Sequence, residues 1–198
     1  GQYLYTYGPL RAVVSGQING TTIEREGLMQ NGRAAERSYG SSGVAKFLGG
    51  GGKATLSWRI NPSNVLTLNS SYQREAPLAY NSFVANRIKN DFVHGLSTEG
   101  IFNNALASSL TTARFTARLS GYYTRFTDQV EQTAFYNDSE ARFTYLTMRG
   151  VEKEHYGIEA AAIWNVTSAL SFTFIGSMGD ALYTNNPYAT ITYESQDE

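Results

Sequence analysis

Polar and apolar side chains alternate one by one along several long stretches of this chain, most clearly from Arg114 onward. Successive side chains of a β-strand point to opposite faces, so a period of two predicts a strand with one apolar and one polar face. Residues 53–60 and 158–166 show the same period. In the stretch that begins at Arg114, the apolar face would carry Phe115, Ala117, Leu119, Gly121 and Tyr123. The chain is therefore predicted to consist of amphipathic β-strands.

Turn-forming residues divide these strands with connections of two lengths. Pro62, between Asn61 and Ser63, fixes a backbone angle suited to a tight turn. Short turns are predicted near 8–9, at 61–64, near 110–113 and at 167–169, and longer loops over roughly 24–52, over 75–98 and near 136–141. The eight predicted strands are 1–7, 10–23, 53–60, 65–74, 99–109, 114–134, 142–166 and 170–184. Alternation of short and long connections is typical of outer-membrane barrels.

No apolar stretch is long enough for a membrane helix, because the longest one, residues 160–164, falls far short of the roughly 18 residues required. A chain that crosses a bilayer without helices must do so as a closed barrel. Trp58 and Trp164 each lie three residues before a short turn, as expected for an aromatic girdle. The sequence therefore predicts an all-β, antiparallel, up-and-down transmembrane β-barrel, here an open partial barrel of about eight strands in contact with lipid.

A soluble β-sandwich also has alternating strands and is the main alternative. The length of strands 114–134 and 142–166 and the alternation of connection lengths favour the barrel.

Composition and motifs exclude several kinds of chemistry. The chain has no cysteine, and its net charge of -1 argues against a nucleic-acid partner. His94 and His155 have no second ligand at metal-binding spacing, so no metal site is predicted. Gly49 to Gly52 before Lys53 does not match a phosphate-binding loop, and we interpret it as a flexible loop entering a strand. No catalytic residue and no cofactor is predicted, and the chain is not expected to be an enzyme.

The long loop over 75–98 combines aromatic and basic side chains, as loops that contact ligands or partners often do. Its candidate ligand-binding residues are Tyr80, Phe83, Arg87 and Lys89. Ordinary packing of this loop over the barrel mouth is an equally good interpretation.

Four segments resemble the C-terminal half of the barrel of TonB-dependent outer-membrane receptors. They are Trp58-Arg59-Ile60-Asn61-Pro62-Ser63-Asn64-Val65-Leu66, the loop from Ala76-Pro77 to Arg87-Ile88-Lys89-Asn90, Gly121-Tyr122-Tyr123-Thr124-Arg125-Phe126-Thr127-Asp128-Gln129, and Gly150-Val151-Glu152-Lys153-Glu154-His155-Tyr156-Gly157-Ile158-Glu159-Ala160. The similarity extends over most of 53–194, and the order and spacing of the segments carry it.

The resemblance implies that residues 1–198 are part of a large, plugged barrel in the outer membrane of a Gram-negative bacterium, with the plug and the closing strands outside this sequence. It implies uptake of a scarce ligand, such as an iron chelate, cobalamin, a glycan or a peptide. The implied partners are the TonB complex, through an N-terminal region missing here, and a surface lipoprotein. The alternative functions are a small, self-closed adhesin or assembly barrel and a secreted glycan-binding sandwich.

Overall fold

The computed structural model describes residues 1–31, 34–139 and 141–193, most of which lie in antiparallel strands. The strands are β1 Gln2–Tyr7, β2 Leu10–Ile23, β3 Glu26–Gly27, β4 Gly40–Ser41, β5 Ala45–Asn61, β6 Asn64–Glu75, β7 Glu99–Thr111, β8 Phe115–Asn137, β9 Arg142–Asn165, β10 Ser171–Tyr183 and β11 Tyr188–Tyr193. The helical elements are a four-residue helix α1, Ala35–Ser38, and a 3₁₀ turn, Ala79–Ser82. No helix in these three ranges is long and apolar enough to cross a membrane.

Nine of the strands form one antiparallel sheet in the order β1-β2-β5-β6-β7-β8-β9-β10, with β11 also paired to β9. Each long strand pairs with the previous long strand in the chain, so the predicted up-and-down, all-β topology is confirmed. The sheet is open, because β1 and β10 form its edges and do not pair with each other among the described residues. β3 and β4 form a separate two-stranded sheet within the β2–β5 connection.

β10 and β11 continue one another along β9. β10 pairs with β9 from Asn165 back to Lys153, and β11 pairs with it from Arg149 to Thr144. At the break, the side-chain amide of Asn185 donates to Gly150 O at 2.7 Å and accepts from Glu152 N at 3.0 Å. The amide thus replaces a backbone pair of the ladder. The sheet has eight strand positions, as predicted, but the sequence does not predict β11.

The strand register shows which side chains share a face. Trp58 pairs with Leu66, and the same ladder row continues across the sheet to Leu119. Arg59 and Arg118 lie on the opposite face, as alternation requires. Leu119 is 56% exposed and Trp164 is 48% exposed, so neither is packed between two sheets. The β-sandwich alternative is therefore wrong for the described part of the chain.

The predicted loop over 24–52 is too long by eight residues, because β5 begins at Ala45. Gly49 to Gly52 pair with β2, and from Gly50 onward also with β6, so their interpretation as a flexible loop is wrong. Glycine carries no side chain, and a glycine run therefore shows no polar and apolar alternation although its backbone can still pair. The neighbouring strand is so near that a Cβ on Gly51 would lie 2.6 Å from Tyr72 O.

The connection predicted near 136–141 is shorter than expected, and its residue Glu140 lies outside the described residues. β8 and β9 continue to Asn137 and Arg142, which pair with each other, and only four residues separate them. This extended hairpin, residues 126–153, reaches well beyond the last ladder pair of β7 with β8, Gly100 with Thr127.

The close approach at Gly51 predicts that Gly51→Ala destabilises the protein by about 1–3 kcal/mol, because the added methyl group overlaps the backbone of β6. Gly52→Ala is the matched control, since the nearest atom to its Cβ, Ser15 O, is 3.7 Å away. Urea unfolding followed by tryptophan fluorescence measures both. Equal midpoints for the two variants would contradict the close approach.

Candidate functional site

One face of the sheet carries a continuous band of aliphatic side chains, here called the aliphatic band. The ladder registers place them in adjacent rows across β5 to β10. The band consists of Leu56, Leu68, Leu106, Leu119, Ile158 and Met178, which are 44–71% exposed. An apolar area of this extent is typical of a surface that contacts lipid or another protein.

Aromatic side chains border this band on both sides. At the short-turn end lies the tryptophan belt, Trp58, Trp164 and Phe172, each one to three residues from the last ladder pair of its strand. At the other end lies the tyrosine belt, which consists of Tyr72, Phe102, Tyr123 and Tyr156. Each of these residues is seven to nine residues from the ladder pair beside the short turn of its own strand. The sequence predicts only the two tryptophans as girdle residues, because the tyrosines come together through strand register. Between the belts, none of the described side chains on this face of β5 through β9 is charged.

The separation of the belts matches the thickness of a membrane. Trp164 and Tyr156 are eight residues apart on β9. At about 3.3 Å per residue, this is roughly 26 Å along the strand, or about 22 Å along the membrane normal for a strand inclined by roughly 35°, comparable to the apolar band of about 25 Å on outer-membrane barrels.

The short turn of each hairpin is offset along the strand direction from the short turn of the neighbouring hairpin. The row of Leu10, the first ladder residue of β2, reaches β9 at Ala160, five residues before the last pair at Asn165. β9 is five strand positions from β2, so the stagger is one residue per strand. If the turns lie in one plane, a rise of about 3.3 Å per strand spacing of about 4.8 Å inclines the strands by roughly 35°. Transmembrane barrels have strand tilts of this size.

The opposite face is largely polar. Over the same stretch it carries Thr55, Ser57, Thr67, Asn69, Arg118, Ser120 and Glu159. Hydroxyl and amide pairs form across the strands, such as Thr55 Oγ1 donating to Asn69 Oδ1 at 2.7 Å. This face is suited to water or to a polar partner.

The connection between β6 and β7 packs against the extended hairpin. Phe83 is 4% exposed and stacks on Phe92 with ring centroids 4.6 Å apart, while Ala85 and Ile88 pack against Tyr145. Hydrogen bonds anchor the connection: Asn81 Nδ2 donates to Val130 O at 2.8 Å, Gln132 Nε2 to Phe83 O at 2.5 Å and Thr147 Oγ1 to Val84 O at 3.3 Å. This loop is therefore a packed element of the structure.

A polar seam joins the β2–β5 connection to the β6–β7 connection. The Arg25 guanidinium donates to Asn86 O at 3.0 Å and to Asn90 Oδ1. Asn90 in turn donates from Nδ2 to Gly40 O at 3.0 Å and from its backbone to Arg37 O at 2.6 Å. Charge-assisted bonds of this kind are stronger than neutral ones. Arg25 and Asn90 hold the two connections together, and the sequence gives no signal that would identify them.

The four predicted ligand-binding residues do not form one cluster. Tyr80 is 58% exposed and Arg87 is also exposed, whereas Phe83 and Lys89 are each 4% exposed. Phe83 packs inside the loop, and Lys89 lines a cavity of about 280 Å³ with Arg37, Asp91 and residues of β11. The cavity therefore lies between the β2–β5 connection and β11, which is six strand positions from β2 in the sheet. Their role in ligand binding stays a prediction.

Two carboxyl groups outside the region between the belts have shifted pKa values. Burial raises the pKa of Glu99 although Val130 N donates to its Oε1 at 2.9 Å, and the nearby Glu75 carboxylate raises it further. Burial also acts to raise the pKa of Glu131, but hydrogen bonds from Lys153 and Tyr183 outweigh it, and the net shift is downward.

Comparison with known proteins adds nothing to this description, since no family model, curated protein or solved structure matches the chain.

Loss of the polar seam should release the two connections. Arg25→Ala removes the donors to the backbone oxygen of Asn86 and to the side-chain oxygen of Asn90, so we expect amide hydrogen exchange over 24–31 and 79–93 to rise about 10- to 100-fold. Arg118→Ala, on the polar face of β8, is the control and should leave exchange in both connections unchanged. Equal exchange in the wild type and the Arg25→Ala variant would show that other contacts hold the connections.

Glu99 should make stability depend on pH. Its folded-state pKa is raised above the usual 4.5, so its favourable contribution is complete below pH 4.5 and is lost as the pH rises through the folded-state value. Glu99→Gln should therefore be more stable than the wild type at pH 7 to 8, with the difference shrinking towards pH 4. Urea midpoints measured across this range test the sign. A difference that grows on acidification would contradict the assignment.

Proposed function

We propose that this chain forms part of the wall of a transmembrane β-barrel in the outer membrane of a Gram-negative bacterium. The observation that carries the proposal is the aliphatic band bordered by two aromatic belts at membrane spacing. Aromatic girdles at both interfaces and an uncharged band between them are the surface that lipid requires of a barrel. The stagger of one residue per strand supports the same conclusion independently.

The polar face would then line the inside of the barrel. Backbone groups within the sheet are paired along the ladders, but the outer edges of β1 and β10 are not paired with each other among the described residues. Hydrocarbon cannot satisfy such groups, so the proposed barrel needs further strands beside both edges. A self-closed small barrel would instead pair β1 with β10, and this pairing is absent from the described part of the sheet.

Within the barrel proteins, we propose a TonB-dependent receptor that takes up a scarce ligand: an iron chelate, cobalamin, a glycan or a peptide. The resemblance of the segments from residue 58 to 160 supports this class. The docked connections at the long-loop end support a mouth built to meet a ligand, with Tyr80 and Arg87 exposed there. The proposed partners are the TonB complex and a surface lipoprotein.

The membrane proposal predicts different effects of a charge on the two faces of β8. Leu119→Arg places a charge in the aliphatic band and should cost about 2–4 kcal/mol of insertion free energy. Ser120→Arg, one residue away on the polar face, should cost far less. Insertion is measured by tryptophan quenching in vesicles that contain brominated phosphatidylcholine. A wild-type protein that folds as a monomer in buffer without vesicles or detergent would refute the membrane proposal.

The uptake proposal needs the full-length protein in its host. Disruption of its gene should abolish accumulation of one of the four labelled ligand classes, and a protonophore should do the same in the wild type. Restoration by the intact gene is the control. Unchanged accumulation of all four classes would contradict uptake but would leave the membrane proposal standing.

A further inference from the structure

The polar face of the sheet carries a groove across β2 and β5, here called the Lys53 groove. It consists of two adjoining depressions of about 380 and 310 Å³, which share Ser15 and Lys53 in their linings. Because Gly51 has no side chain, the strand backbone forms the floor between Gln17 and Gln73, its partners in the ladder row. Pockets for small ligands have volumes from about 300 Å³ upward.

Most side chains that line the groove can form hydrogen bonds. The larger depression is lined by hydroxyl and amide groups of β2, β6 and β7, namely Ser15, Gln17, Ser71, Gln73 and Asn103. Asn103 Oδ1 accepts from Thr124 Oγ1 at 3.2 Å, and the other four side chains have no hydrogen-bond partner among the described residues. Amides and hydroxyls both donate and accept, as recognition of a ligand with several hydroxyl groups requires.

The cations of the groove have no carboxylate beside them. From the ladder row of Lys53 to the short turns, the described polar face of β2, β5, β6 and β7 carries Arg11, Lys53 and Arg59 but no acid. Arg11 and Lys53 are exposed and both line the smaller depression. Glu75 and Glu99 lie four residues farther along β6 and β7, or about 13 Å, which exceeds the screening length of about 8 Å at physiological salt.

The ion pairs of the protein lie at the other end of the sheet. The four pairs among the described residues are all at or beyond the tyrosine belt, towards the long-loop end: Arg37–Asp91, Arg74–Asp128, Arg125–Glu152 and Lys153–Glu131. The cations nearer the short turns are thus the ones left without a carboxylate. A wall that carries charge of one sign raises the local concentration of ligands of the opposite sign.

We propose that the Lys53 groove binds a sugar that carries an acid group, either a carboxylate or a phosphate. Arg11 and Lys53 pair with the acid group, and the amides of Gln17, Gln73 and Asn103 bond to the sugar hydroxyls. In the proposed barrel this face lines the inside, so the groove lies on the path of the ligand. The inference rests on the proposed uptake function and narrows its ligand to an acidic glycan.

Ligand-observed NMR titrations of the full-length protein in detergent test this inference. The probes are galacturonate and glucose 6-phosphate, each compared with its neutral parent, galactose or glucose. We expect at least one acid to bind about three- to thirtyfold more tightly than its parent at physiological salt, the ratio that one or two exposed charge pairs supply. The acid with the larger ratio identifies the recognised group as a carboxylate or a phosphate.

Combining Arg11→Gln with Lys53→Gln removes both cations and keeps polar side chains in the groove. This double variant should bind each acid and its parent equally, because only the hydroxyl contacts remain. Gln73→Ala should instead weaken acid and parent alike, by about two- to tenfold, since it removes a hydrogen-bonding group. Arg118→Gln is the matched control: it removes a cation from the same face three strand positions from β5, or about 14 Å away, and should keep the wild-type ratio.

Equal affinities of the wild type for both acids and their parents would overturn the inference. An equal loss of preference in the Arg118→Gln variant would also overturn it, because the whole basic face and not the groove would then attract the acid. The accumulation assay distinguishes the two proposals. Gene-dependent accumulation of a ligand without any preference for the acids refutes only the groove, whereas unchanged accumulation of all four classes with an intact preference refutes only uptake.

Discussion

The antiparallel backbone ladder is the constraint from which the other features of this protein follow. Direct cross-strand pairing fixes which residues lie opposite one another, and a shift of one residue would move every side chain of a strand to the other face. The pairing of Trp58 with Leu66, and of Tyr123 with Tyr156, aligns residues of successive strands in continuous rows. The aliphatic band and the two belts exist only because five successive ladders keep the same parity.

The stagger of the ladders connects this local rule to the shape of the whole sheet. An offset of one residue per strand inclines the strands relative to the plane of the short turns, which allows a sheet to curl towards closure. The glycine run at 49–52 serves the same geometry, since β2, β5 and β6 approach closely there. In the proposed barrel, tilt and close approach together let one face meet lipid while the other faces inward.

The long-loop end follows a different principle. There the strands have unequal lengths, and the extended hairpin offers backbone and apolar groups that the β6–β7 connection covers. Arg25 and Asn90 then fasten the β2–β5 connection onto it through hydrogen bonds to backbone oxygens. The described parts of the two connections are thereby held against the sheet, and only part of their surface, including Tyr80 and Arg87, remains exposed.

The sequence by itself determined the strands, their amphipathic faces and the positions of the short turns, because these depend on neighbours two residues apart and on local turn chemistry. It placed Trp58 and Trp164 near the turns for the same reason. Tertiary structure alone decided the pairing of Gly49 to Gly52, the strand β11, the tyrosine belt and the seam at Arg25. These depend on partners up to 65 residues away along the chain, and alternation within one strand carries no information about such partners.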